Sequence, residues 1–141
     1  MGFTYLEHTA DVMFCVREKT LEDLFCTAAL ACFDVMADPS TVQDKVYRQV
    51  SVRGDSIADL LFNFLQEIIY FKDADGLVFC SVDHLEIQDD DNHYGLSCVL
   101  RGDVIDAKKQ ILRNDVKAVT LHQFVVELRG NEWYAQIILD I

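Results

Sequence analysis

The sequence predicts an α+β domain, with two amphipathic helices packed on one face of a mostly antiparallel β-sheet that curves or partly closes. Three observations carry this reading. Two stretches place apolar residues at i, i+3 and i+4; the other apolar stretches alternate with period two; and the order runs strand, helix, strand, helix, then long strands joined by short turns. With 141 residues, 51% of them hydrophobic, and a single proline, there is room for one core. One domain is expected over residues 1–141.

A short strand is predicted over 12–16, with Val12, Phe14 and Val16 sharing a face. The first helix starts at Leu21 behind a Thr20 N-cap, with Asp23 where a capping box places Glu. Its stripe is Leu24, Phe25, Ala28, Ala29, Cys32, Phe33 and Met36, and Asp38-Pro39-Ser40 ends it. Residues 46–52 read as a strand. The second helix follows Ser56 with Ile57, Leu60, Leu61, Phe64, Leu65 and Ile68 in register; Phe62 and Ile69 widen the stripe, which predicts cover on more than one side. Ala74-Asp75-Gly76 stops it. Residues 77–87 and 94–100 form a hairpin around Asp89-Asp90-Asp91-Asn92, and 116–128 with 132–139 form another around Arg129-Gly130-Asn131.

Charge narrows the function. Twelve basic residues against twenty-four acidic ones give −12 at pH 7. Proteins that grip nucleic acid unaided concentrate Lys and Arg against the phosphates. This chain is expected to bind no nucleic acid strongly and to reach any RNA through a basic protein partner or a bound cation. No apolar run approaches the roughly 20 residues a membrane helix needs, so no membrane partner is expected. The opening residues lack a secretion pattern, and Leu6 stands where a myristoylation motif wants Ser or Thr. Cysteines 15, 26, 32, 80 and 98 are never spaced C-x-x-C and lie in apolar patterns. They are expected to be buried, reduced thiols of a cytoplasmic protein, with no zinc site.

Polar residues stand where a core has no use for them at Glu7-His8-Thr9-Ala10-Asp11 and at the last residues. In the final strand Trp133, Ala135, Ile137 and Leu139 share a face, and Asp140 points the other way; Asp11 stands likewise opposite Val12, Phe14 and Val16. The α-carboxylate of Ile141 falls beside Asp140 if the chain ends there. Carboxylates so close repel unless a cation lies between them, and oxygen donors favour a hard divalent ion. Spacing alone leaves a second reading open, in which Asp11 and Asp140 are solvated strand-end acids beside a frayed terminus.

The strings His8-Thr9-Ala10-Asp11, Lys19-Thr20-Leu21-Glu22-Asp23-Leu24-Phe25 with Ala28-Ala29-Leu30-Ala31, and Asp59-Leu60-Leu61 resemble archeases. So do Asp75-Gly76-Leu77-Val78-Phe79, Val116-Lys117-Ala118-Val119-Thr120 with His122, and Ile138-Leu139-Asp140-Ile141. Each block is weak alone; together, in the family's order and across the whole chain, they are specific. The resemblance implies a non-enzymatic cytoplasmic accessory protein that promotes guanylylation and multiple turnover of an RtcB-type RNA ligase in tRNA splicing. It also implies a divalent cation, Ca²⁺ first and Mg²⁺ or Mn²⁺ as alternatives, held by Asp11, Asp140 and Ile141. A chaperone-like modulator of a tRNA methyltransferase is a second role suggested for the family, and a metal-dependent hydrolase is a third reading. Archeases often carry a His ahead of the Val-Lys-Ala-Val block, where this chain has Ala107-Lys108-Lys109-Gln110.

Lesser candidates have blander explanations. His122 reads as a hydrogen-bonded core residue on a face with Val116, Ala118 and Val126, or as support near the metal or partner. His8 either supports that site or the ligase contact, or caps a turn. Asp73-Ala74-Asp75-Gly76 mimics part of a calcium loop but lacks its later Glu, so turn chemistry explains it better. Asp89 to Asp91 read as a solvated hairpin tip, or as an acidic handle for a basic ligase. No Ser, Cys or Thr is flanked by a base and an orienting acid, and Arg53-Gly54-Asp55-Ser56 has too few glycines to cradle a phosphate.

Overall fold

The computed structural model describes residues 11–141. Six strands and two helices follow one another as β1 (Asp11–Glu18), α1 (Leu21–Met36), β2 (Val46–Gly54), α2 (Ile57–Asp75), β3 (Leu77–Asp90), β4 (His93–Val104), β5 (Ala118–Arg129) and β6 (Glu132–Asp140). The strands form two open antiparallel sheets, ordered β1-β6-β5 and β2-β4-β3, rather than one. The chain leaves the first of these sheets after β1, by way of α1, and returns to it after β4 through residues 105–117. Both helices lie against strands of both sheets, and so a single core serves the whole chain.

The helices begin as their caps dictate. Thr20 Oγ1 accepts from Asp23 N at 3.1 Å and Ser56 Oγ from Asp59 N at 3.0 Å; such caps contribute about 1 kcal/mol each. α2 ends in Gly76 at φ 64°, ψ 41°, whose N–H reaches Lys72 O. α1 stops sooner than the Asp-Pro-Ser signal, at an extended Ala37, while Asp38 caps a short 3₁₀ turn, Pro39–Thr41. Phe25 of α1 stacks on Phe64 of α2 at 6.2 Å, and Phe33 meets Phe79 of β3 at 5.8 Å. Phe62 packs edge-on against Phe124 of β5 and Ile69 is buried, so α2 is covered on more than one side.

The strands run longer than alternation suggested. β3 continues to Asp90 and β4 starts at His93, leaving a two-residue turn of Asp91 and Asn92. β5 begins only at Ala118, so Val116, although fully buried, precedes the strand. One expectation fails outright. Ala118 and Val126 were to share a face with His122, but the β5–β6 register jumps from Thr120↔Ile138 to Val125↔Gln136. Five steps along β5 oppose two along β6, and the three extra residues flip the side-chain parity. Ala118 therefore points outward with Asp140, whereas Val126 points inward with Ala135.

Candidate functional site

β1 and β6 each put small or branched apolar side chains on alternate positions. Val16, Ala135, Ile137 and Leu139 are buried, and Asp11, Met13, Cys15 and Arg17 face out. That alternation fixes the antiparallel register, in which Asp11 lies directly opposite Asp140. Directly opposed residues share a face, with Cβ atoms about 4.5–5.5 Å apart. Asp140 is held from both sides, by Asp11 on β1 and by Ala118 on β5, and its carbonyl accepts from Lys117 N at 2.7 Å. Ile141 follows, half-buried and packed against the core. Residues 129 apart in sequence thus become neighbours at one end of the outward face.

This pair suits a hard cation in charge and in donor type. Two carboxylates offer up to four oxygens, and calcium takes six to eight from carboxylates, carbonyls and water. Among the described residues no three His, Cys, Asp or Glu side chains converge. A cation here would therefore need backbone or terminal oxygens and water besides the two side chains.

His122 does not behave as a core histidine. It is exposed on the β5 bulge, its N–H donating to Thr120 Oγ1 at 3.2 Å, with Gln123 beside it at φ 52°. Gln136 Nε2 ties the bulge down through Gln123 O at 2.9 Å. His8 lies outside the described residues. Asp73 and Asp75 lie in the last turn of α2, ahead of its Gly76 cap, in ion pairs with Lys72 (2.7 Å) and Arg48 (3.2 Å). Asp89, Asp90 and Asp91 are exposed at the β3–β4 tip, with His93 Nε2 3.5 Å from Asp90.

Two features escaped the sequence reading. On the outward face Tyr134 is covered by the guanidinium of Arg129, 3.6 Å from the ring centre, and by that of Arg17 at 4.9 Å, while its hydroxyl lies 3.2 Å from Cys15 Sγ. Cys15 is accordingly exposed, not buried; the remaining four thiols are buried or half-buried, and all five are free. The second feature is the crossover, residues 105–117. Gln110 is buried and bridges Val104 O and Asp106 N, both at 3.0 Å. Further on, Arg113 N and Asn114 N donate to Met36 O and Val35 O, satisfying carbonyls that the end of α1 leaves open. Only pairing between residues 77 and 79 apart in the chain makes such a latch, and no local pattern announces it.

Comparison with known proteins agrees with this architecture. Residues 3–141 match the model of the archease protein family. The chain is 32% identical to the protein archease of Methanosarcina acetivorans over 139 residues, 99% of this chain and 95% of that one. It is 36% identical to that of Pyrococcus furiosus over 138 residues, 97% and 96% of the two chains. The solution structure of Methanobacterium thermoautotrophicum protein 1598 superposes with a TM-score of 0.79 at 29% identity, over 94% of this chain and 93% of the other. A Thermotoga maritima archease, described as a possible chaperone, shares the fold at a TM-score of 0.58 and 15% identity, over 95% and 93%.

Proposed function

The chain belongs to the archease family, and on that premise we propose that it is a non-enzymatic cytoplasmic accessory protein of an RtcB-type RNA ligase, promoting guanylylation and multiple turnover in tRNA splicing and RNA repair. The observation that carries this reading is the cross-strand pair Asp11–Asp140. It gathers two of the three positions that the sequence resemblance assigns to a divalent cation, on an outward face and next to the third, Ile141.

Asp11, Asp140 and Ile141 would hold the ion, Ca²⁺ first and Mg²⁺ or Mn²⁺ as alternatives. Bound there, it supplies positive charge at an otherwise repulsive acidic end. The ladder fixes the backbone of both aspartates before any ion arrives, so only their side chains are left to order on binding. The net charge of −12 repels RNA and suits a basic enzyme partner.

Ligation assays test the reading. Substoichiometric protein should raise guanylate-adduct formation and turnover by purified ligase, and Asp140→Ala should lose the effect while still folding, because the residue lies off the core face. Absence of stimulation by the wild type sinks the proposal. Phosphodiester cleavage in Mg²⁺ by the protein alone would favour the hydrolase instead. The second reading, a chaperone-like modulator of a tRNA methyltransferase, rests on the sequence resemblance alone. It predicts altered methylation specificity with no change in ligation.

A further inference from the structure

Residues 116–119, which lead into β5, are gripped alternately by α2 and by the end of β6. Lys72 Nζ donates to Val116 O at 2.7 Å, and Lys117 N donates to Asp140 O at 2.7 Å. Ala118 then opposes Asp140 in the ladder, and Val119 N donates to Gln66 Oε1 at 3.0 Å. Successive N–H groups of a strand point to opposite sides, so that of Val119 leaves β6 for the outer edge of its sheet, where no further strand lies. Val119 is buried, and a buried N–H needs an acceptor. Gln66 supplies the one that another strand would have offered.

Phe62, Gln66 and Lys72 of α2 run along β5 in this way, meeting Phe124, Val119 and Val116. Two of the three serve the fold at large, since Phe62 covers apolar surface and Lys72 is ion-paired with Asp73 and Asp115. Gln66 is different. It is a half-buried, neutral carboxamide, and its bond falls on the residue next to Ala118, the ladder partner of Asp140. Neighbouring Cα atoms are about 3.8 Å apart and move together. A shift of Val119 therefore carries Ala118 and the N–H of Lys117 with it, and the Asp140 carboxylate is no better placed than the backbone beneath it. Groups that orient an ion's ligands from behind change affinity by about 10–100-fold when they are lost.

We propose that Gln66 is a positioning residue for the cation: by holding Val119 N–H it fixes the start of β5, and through Lys117 and Ala118 it sets Asp140 against Asp11. The inference rests on the cation reading and extends that site from the strand ends to α2. Reciprocity follows, because a tie that aids the ion must itself be tightened by the ion.

Calorimetric titration with Ca²⁺, well below every melting midpoint, compares wild type with Gln66→Met and Gln66→Glu. Gln66→Met keeps the length of the side chain and removes the acceptor, and should raise the dissociation constant about tenfold; Gln66→Glu restores an acceptor and should recover the affinity. Asn63→Leu and Asn63→Asp make the same two kinds of change one turn earlier on α2, where the carboxamide instead donates to Arg53 O at 2.7 Å, and both should bind as wild type does. A purely structural Gln66 would lower the melting midpoint and leave the dissociation constant alone. In the wild type, Ca²⁺ should slow amide hydrogen exchange at Val119 more than at Val126, further along β5. Wild-type affinity in Gln66→Met, no recovery in Gln66→Glu, an equal loss in Asn63→Leu, a matching gain in Asn63→Asp, or no added protection at Val119 would each overturn the positioning role and leave the cation reading standing. A wild type that binds no Ca²⁺, or an Asp140→Asn variant that binds it as tightly, overturns both. Should Gln66→Met fail to fold, exchange in the wild type decides.

Discussion

Asp11 and Asp140 face each other across the β1–β6 ladder, one the first residue of its strand and the other the last of its own. Directly opposed like charges destabilise a sheet by about 0.2–1 kcal/mol. Asp140→Asn should therefore raise the melting midpoint slightly in chelator, and it should lose most of the rise that Ca²⁺ gives the wild type. An ion at 100 times its dissociation constant adds about 2.7 kcal/mol, several degrees for a domain of this size. Thermal melts in chelator and in Ca²⁺ measure both effects. An undiminished Ca²⁺ shift in the variant would remove Asp140 from the site.

Lys72 should make the fold sensitive to alkali. Its side chain is 9% exposed and donates to Asp115, Asp73 and Val116 O. Burial pulls its pKa down, but the bonds and charges of Asp115 and Asp73 outweigh burial and leave it raised. A raised folded pKa means the contribution is fully present below the unfolded value, about 10.4, and is lost as pH climbs through the folded one. Lys72→Met should cost about 1–3 kcal/mol at pH 7, with the gap to wild type closing above about pH 10.5. Urea titrations across that range follow the gap; a constant difference would exclude the linkage.

The thiols should separate by reactivity. Burial pushes Cys32 and Cys98 up to about 12, with Lys72 pulling slightly down on Cys32 and Cys26 adding to Cys98. Cys26 is raised by burial, then by Asp23 and Glu22. Alkylation of the native protein near pH 8 should modify exposed Cys15 first, and Cys32 and Cys98 only after denaturation. Peptide mapping by mass spectrometry reads the order, and Cys32 reacting as fast as Cys15 would refute it.

What the sequence made legible was local. The apolar stripes of α1 and α2, their caps at Thr20 and Ser56, and the Gly76 stop are each written within a few residues. Alternation in β1 and β6 likewise announced that Asp11 and Asp140 leave the core face, though only the register shows that they meet. The division into two sheets, the bulge that carries His122 outward, and the latch of Asn114 on Val35 depend on pairing between distant segments. Cys15 misled because its neighbours Val16 and Phe14 are apolar, yet period two turns it toward Tyr134 and solvent.

Gly54 is the last such case. In Arg53-Gly54-Asp55-Ser56 it looked like a failed phosphate loop, but its role is steric. A Cβ there would come 2.5 Å from Leu60 N, 2.8 Å from Leu60 Cα and 2.9 Å from the Asp59 carbonyl carbon, all backbone atoms of the first turn of α2. Backbone cannot swing aside as a side chain can, so Gly54→Ala must push the end of β2 off the helix. The expected loss is about 1–3 kcal/mol, the usual cost of overpacking. Gly95→Ala is the matched control, since its Cβ meets nothing nearer than Gln88 Oε1 at 3.4 Å, and it should stay within about 0.5 kcal/mol of wild type. Urea midpoints for the two variants decide the matter: equal stability would mean that β2 and α2 do not pack this closely, and the junction that seats the second helix would have to be redrawn.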